Sequence, residues 1–241
     1  MAVQWTIDSR EKVTSTQDII REMARQGKPE GTVVHALQQS AGRGRHGRNW
    51  VSEKGNFYIS LLLKPAGEAR HVGQMGLMTG VAVAETVRKY LRAPEAVSLK
   101  WPNDVLIDGE KCAGILVETE LTPKNSLSWV GIGVGVNITS APRGLGVAIE
   151  DFEIKQFGIP MFRTSFLTAL DKYYMLWQQD GFEPIRQAWL QYAHPKGTRV
   201  RVRVAEEIIE GTFQGIDENG NLLMTDHNLE ARRITAGEVY L

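Results

Sequence analysis

The sequence predicts a two-part protein, a larger unit of interleaved helices and strands followed by a small all-β unit. Three observations carry this prediction. Apolar residues recur at helical spacing in several separated stretches, short apolar runs stopped by Pro or Asp–Gly lie between them, and beyond His194–Pro195 only alternating strands and turns remain. No internal repeat or low-complexity tract interrupts the pattern.

Residues 1–14 read as a short polar lead-in. Ser15 to Gly27 follows as a helix, with Ser15 and Asp18 at capping spacing, Ile19, Ile20 and Met23 as its apolar stripe and Gly27 as its stop. Thr32 to Leu37 is a strand, Gly42 to Asn49 a loop, and Phe57 to Leu63 a second strand ended by Pro65. Gly73 to Leu91 is helical, and Val97 to Trp101 is a strand stopped by Pro102. Val105–Ile107 and Lys111–Thr119 flank Asp108–Gly109, a two-residue hairpin signal. Trp129 to Ile138 is a further strand, and Thr164–Gln179 and Pro184–Tyr192 are amphipathic helices. From Gly197 on, Val200, Val202 and Val204 alternate with Arg199, Arg201 and Arg203, the mark of a half-buried strand with arginines in water. This stretch predicts a small β-barrel.

Composition narrows the function. With 42% hydrophobic and 23% charged residues over 241 positions, the chain is an ordinary globular protein rather than a disordered one. Lys+Arg and Asp+Glu balance at 28 each, so no global field favours nucleic acid or an anionic membrane. No signal-peptide core and no membrane-spanning run is present, and the single Cys112 excludes an intrachain disulfide. A cytoplasmic setting is the default expectation. Cys112 reads as a core thiol, the five histidines lack metal-site spacing, and Phe166, Leu170, Tyr173 and Trp177 read as core. Asp217–Glu218 and Glu206–Glu207 read as solvated turns.

Three segments carry chemistry. Gln39 to Arg48 combines glycines, whose backbone N–H groups can approach an anion, with Arg43, Arg45 and Arg48, which can grip carboxylate or phosphate in bidentate fashion. It is neither a P-loop nor a dinucleotide fingerprint; a solvated loop or a nucleic-acid patch is the alternative. Lys100-Trp101-Pro102-Asn103-Asp104 ends an apolar strand with a lysine suited to neutralise a carboxylate or α-phosphate, unless that lysine is simply exposed. In Val130 to Ile138, Gly131, Gly133, Gly135 and Asn137 share one face, which admits a ligand or a closely packed helix.

In this order the segments resemble the biotin–protein ligases, also called biotin–[acetyl-CoA-carboxylase] ligases. Ser15-Thr16-Gln17 is similar to the family's opening of its first catalytic helix, and Gln39–Arg48 to its Gly-Arg-Gly-Arg-x-Gly-Arg loop with Trp50 beyond. Lys100–Asp104 matches Lys-Trp-Pro-Asn-Asp, Lys111–Leu116 matches Lys-x-x-Gly-Ile-Leu, and Gly131–Ile138 matches Gly-x-Gly-x-Asn. Gly211, Gly215, Asp217, Gly220, Gly237 and Glu238 fit the family's C-terminal unit more loosely.

The resemblance implies an α+β fold. Residues 1–195 would form a mixed-sheet catalytic domain akin to class II aminoacyl-tRNA synthetases, and residues 196–241 an SH3-like barrel. It implies that biotin and ATP give biotinyl-5′-AMP, with Mg2+ carried by the ATP rather than by a protein metal site. A lysine of a biotin carboxyl carrier protein then takes the biotin. Lys100 and Arg45 would be catalytic. Ser15, Thr16, Gln17, Gln39, Gly42, Arg43, Gly44, Arg45, Lys100 and Gly114 would meet biotin or its adenylate; Arg45, Arg48, Trp50, Lys111 and Asn137 would meet the nucleotide. Some relatives carry an N-terminal winged-helix DNA-binding domain. Three helices of about 11–12 residues do not fit ahead of Ser15, so operator binding is not expected. No membrane partner is expected, and an open edge strand would suit a homodimer or carrier docking. The rival readings are a lipoate–protein ligase and a nucleic-acid-binding protein.

Overall fold

The computed structural model describes residues 2–241. Its first sheet is built from β1 (Thr6–Val13), β2 (Thr32–Gln39), β3 (Phe57–Leu63), β4 (Val97–Lys100), β5 (Asp104–Ile107), β6 (Glu110–Leu121) and β7 (Leu127–Val136). These lie in the order β1-β2-β3-β7-β6-β5-β4. Only β1 and β2 are parallel, so the sheet is mixed, as the resemblance implied. The helices are α1 (Thr16–Arg25), α2 (Val72–Tyr90), α3 (Ile159–Asp180) and α4 (Glu183–Tyr192).

Residues 6–13 are the main departure from the sequence reading. They form the edge strand β1, not a lead-in. Most of its side chains are exposed, so it carries no apolar alternation; the ladder to β2, in register from Thr6↔Thr32 to Val13↔Gln39, defines it instead. Helix α3 also begins earlier than predicted, at Ile159, with Pro160 in its first turn, where a missing N–H costs nothing. At the β5–β6 hairpin, Asp108 and Gly109 take φ of 49° and 82°, the pair of left-handed residues a tight twisted turn needs.

The core lies between the sheet and α2, α3 and α4. Helix α2 is apolar on almost every side because it is covered on almost every side, with Met75, Leu77, Met78, Val81 and Val87 buried. Each such side chain contributes about 1.5–3 kcal/mol relative to exposure. Cys112 is buried here, its thiol pushed up to about 12 by desolvation, and is inert as predicted. His35 is buried against Phe57 and held neutral, its pKa lowered to about 4 by burial.

The second sheet is the SH3-like unit, made of β8 (Arg199–Val204), β9 (Glu207–Ile216), β10 (Leu222–Asp226), β11 (Ala231–Ile234) and β12 (Glu238–Tyr240). It is antiparallel, ordered β11-β10-β9-β8-β12. Asp217 is not a solvated residue: it is buried and accepts the backbone N–H groups of Asn219 and Asn221, fixing the turn that carries Gly220. That turn is the seam between the sheets. The Trp101 indole N–H donates to the Gly220 carbonyl at 3.0 Å, and Gln74 on α2 donates to the Glu218 carbonyl at 3.2 Å. The tryptophan of the Lys-Trp-Pro-Asn-Asp segment therefore anchors the second sheet and leaves Lys100 to the other side.

Candidate active site

One cavity of about 570 Å³ lies against β4–β7, walled by α1, the loop after β2 and the end of β12. Every nominated site residue lines it except Gly42. The Gly42 carbonyl accepts from the Trp50 N–H at 2.9 Å, and a Cβ there would meet the Trp50 carbonyl oxygen at 2.4 Å. Its backbone closes the base of the loop.

The floor is ionic. Asp104, at the start of β5, is buried between two ammonium groups. Lys100 on β4 lies 3.1 Å from one carboxylate oxygen. Lys111 on β6 lies 2.6 Å from the other, as an ion pair without hydrogen-bond alignment. The three come together because Lys100 pairs with Asp104 across β4–β5, while Lys111 pairs across β5–β6 with Leu106, two residues on from Asp104. Two cations against one carboxylate leave the floor net positive, suited to an incoming anion.

The polar end is built on α1. Ser15 holds the N-cap backbone position, yet its hydroxyl makes no capping bond. The Ser60 hydroxyl donates to Thr16, and the Thr16 N–H and hydroxyl both donate to the Gln39 carbonyl oxygen. Gln39 in turn donates to Ser52, so this relay fixes α1 against the loop. The glycine face of β7 is not bare. Gln17 covers Gly131 and Gly133 and donates to the Gly131 carbonyl at 3.0 Å, while Trp50 covers Gly135. Helix packing therefore accounts for one end of that face, while Gly133, Gly135 and Asn137 border the cavity at the other. Asn137 lies one residue past β7, held by its N–H to the Cys112 carbonyl.

Besides Asp104 Oδ1, four buried atoms here lack hydrogen-bond partners: Ser15 Oγ, Gln17 Oε1, Trp50 Nε1 and Asn137 Oδ1. An unsatisfied buried polar atom costs about 1–3 kcal/mol, and this many around one cavity marks a place for a polar ligand.

The arginines divide by environment. Arg45 reaches inward, donating to Asn103 Oδ1 at 3.1 Å and the Gly237 carbonyl at 3.4 Å; burial lowers its pKa without discharging it. Arg43 binds Asp18 at 2.8 Å and Glu118 at 2.7 Å, tying the loop to α1 and β6. Arg48 makes a bidentate pair with Glu238 on β12, at 2.5 and 2.7 Å, which holds the Glu238 carboxyl down at about 2. Gly44 bonds across the loop to the Arg48 carbonyl, and Lys111 lies 5.4 Å from the Trp50 ring centre.

Sequence reasoning passed over Ser60, Asn103, Asp104, Glu238 and Tyr240, all of which line the cavity. Ser60 was legible as the lone small hydroxyl in an apolar strand, and Asp104 stood within a quoted motif. Nothing local marked Glu238 as the partner of Arg48, 190 positions away.

Comparison with known proteins follows the same lines. The model of the biotin/lipoate A/B protein ligase family matches residues 10–137, and that of the biotin protein ligase C-terminal domain matches residues 197–241. The chain is 35% identical over 199 residues to a biotin–[acetyl-CoA-carboxylase] ligase of Paracoccus denitrificans, covering 79% of this chain and 82% of the relative. It is 32% identical over 240 residues to the bifunctional ligase/repressor BirA of Bacillus subtilis, covering 95% of this chain and 72% of that one. The structure of the Aquifex aeolicus biotin protein ligase with biotin and ATP superposes with a TM-score of 0.78 at 25% identity, covering 98% and 97% of the two chains. An ionic floor, a polar pocket with unsatisfied groups and an arginine loop, on a chain matched by these models over residues 10–137 and 197–241, place this protein among the biotin–protein ligases of the biotin/lipoate A/B protein ligase family.

Proposed function

We propose that this enzyme joins biotin to ATP as biotinyl-5′-AMP and then passes the biotinyl group to a lysine of a carboxyl carrier protein. The observation that carries this reading is the continuity of one cavity from the unpartnered polar atoms beside α1 to the net-positive floor at Lys100, Asp104 and Lys111. A ureido head, rich in donors and acceptors, suits the first. A carboxylate meeting an α-phosphate needs the second.

In the first step a biotin carboxylate oxygen bonds to the α-phosphorus, and the α–β bridging P–O bond breaks to release pyrophosphate. Lys100 neutralises the charge gathering on the two reacting anions. Arg45, partly desolvated, holds the adenylate, beside Gly44, whose own N–H is engaged by the Arg48 carbonyl. Ser15, Thr16, Gln17 and Gln39 take the ureido end, and Gly114, against Trp50 and Lys111, leaves room farther along the cavity. Arg48, Lys111, Trp50 and Asn137 take the nucleotide. The buried carboxylate of Asp104 is engaged by two ammonium groups, so Mg2+ is assigned to the phosphates of ATP. In the second step the carrier amine bonds to the acyl carbon, the acyl C–O bond to AMP breaks, and the amine proton passes to solvent. We place the division of labour at residues 195/196, with Glu238 and Tyr240 reaching in from beyond it.

The test is ATP–pyrophosphate exchange with biotin, lipoate or no acid. Exchange stimulated by biotin alone is the expected result. Stimulation by lipoate would assign the acid to the other branch of the family, and none with either would remove the adenylation step.

A further inference from the structure

We propose that the exposed arginine face of the second sheet docks the acceptor protein, through a carboxylate-rich surface on that protein beside its target lysine. This rests on the ligase reading above. Arg199, Arg201 and Arg203 on β8 alternate with inward Val200, Val202 and Val204 and are all exposed. Among the described residues none of the three has a carboxylate within 4.0 Å, although Glu210 stands opposite Arg201 across β8–β9. The chain has zero net charge, so this row is a local excess of cations, not a share of a general one.

Its position supplies the second observation. Across β8–β12, Arg203 faces Glu238 and Arg201 faces Tyr240, and residues opposite each other project to the same side of a sheet. Glu238 and Tyr240 line the cavity. The arginine face is therefore the outward continuation of the cavity wall, with the Arg203 guanidinium 5.7 Å from the centre of the Tyr240 ring. Beside it Ile208, opposite Arg203, is 52% exposed and offers an apolar contact within the charged field. A protein whose lysine must reach the cavity past Tyr240 would lie over this row, and only an acidic surface matches it. Such charges chiefly set encounter rate and salt sensitivity.

The test uses the full-length enzyme and a recombinant biotin-accepting domain of acetyl-CoA carboxylase. Arg199→Glu with Arg201→Glu is compared with Arg199→Lys with Arg201→Lys; Arg203 is left intact because it touches the cavity wall. The expected result is an acceptor KM raised at least about tenfold by the glutamates and kept by the lysines, with biotin-dependent pyrophosphate exchange unchanged. The salt dependence of the acceptor KM should flatten in the glutamate variant. Unchanged acceptor KM with intact exchange overturns the docking surface alone. The same holds if the row instead mediates a duplex-DNA gel shift at about 0.15 M salt that the glutamates abolish while acceptor KM stays put. No biotin-stimulated exchange in the unaltered enzyme removes the ligase reading and this proposal with it.

Discussion

The cavity is cationic on two sides, and the sides are built differently. On the floor, Lys100 and Lys111 rise from paired strands and share one buried carboxylate, with the Lys100 side chain 19% exposed. On the rim, Arg43 and Arg48 hang from a glycine loop, and the Arg48 side chain is 58% exposed. Backbone ladders fix the floor, so its charge is set before any ligand arrives, the condition under which electrostatic stabilisation of a transition state is largest. Exposed ion pairs fix the rim. These contribute about 0.2–1 kcal/mol each and can be exchanged for phosphate contacts without unfolding anything. Under the proposed function, the same charge serves chemistry in one place and capture in the other.

The sharpest test of this contrast is Lys100→Ala. It should lower biotin-dependent pyrophosphate exchange by about 10²–10³-fold while thermal unfolding and circular dichroism stay close to those of the parent. Near-normal exchange would move the floor's function to Lys111. Next in size is Gly135→Ala, because a Cβ there would lie 2.4 Å from Trp50 Nε1. Displacing the ring should raise the KM for ATP about tenfold, at an overpacking cost of about 1–3 kcal/mol. An unchanged KM would take Trp50 away from the nucleotide.

On the rim, Arg43→Gly removes the contacts to Asp18 and Glu118 and should speed adenylate release a few-fold, roughly 1 kcal/mol of loop closure. Trapping of released radiolabelled adenylate and labelling of bystander lysines report it, and no change in either would free the loop of a screening role. The smallest effect concerns pH. Glu238 is held at about 2 by Arg48, below the ordinary value of 4.5. A carboxyl with a depressed folded pKa contributes stability that is complete above its unfolded pKa and lost only as pH falls through the folded one. The latch is therefore whole from about pH 5 to about pH 8, and Glu238→Gln should cost under about 1 kcal/mol in urea unfolding, equally at both ends. A loss confined to one end would mean that another titrating group governs the latch.

The two sides also differed in how far they could be read from the chain. Lys100, Lys111 and Gly114 stand on strands, and Asn137 just past one, whose apolar runs and stops are local signals, and the structure brings them to one cavity. The loop arginines were legible as anion ligands, but their partners were not. Asp18, Glu118 and Glu238 meet them over separations of 25, 75 and 190 positions. Gly42 lies outside the lining, and the chain alone could not show this because glycine serves a tight backbone crossing and ligand access alike. Residues 6–13 misled because an edge strand paired along one side needs no alternating apolar face.

By itself, the sequence determined the helices, nearly all the strands, the hairpin at Asp108–Gly109 and the residue types able to handle an anion. Periodicity, turn chemistry and charge act over a few residues and are written there. The tertiary structure alone decided that Asp104 sits between two lysines, that Gln17 and Trp50 share the glycine face of β7, and that β12 closes the cavity. Those facts depend on which strands become neighbours. Sheet order brings together residues distant along the chain, and buried polar groups gain or lack partners only when the chain has closed around them.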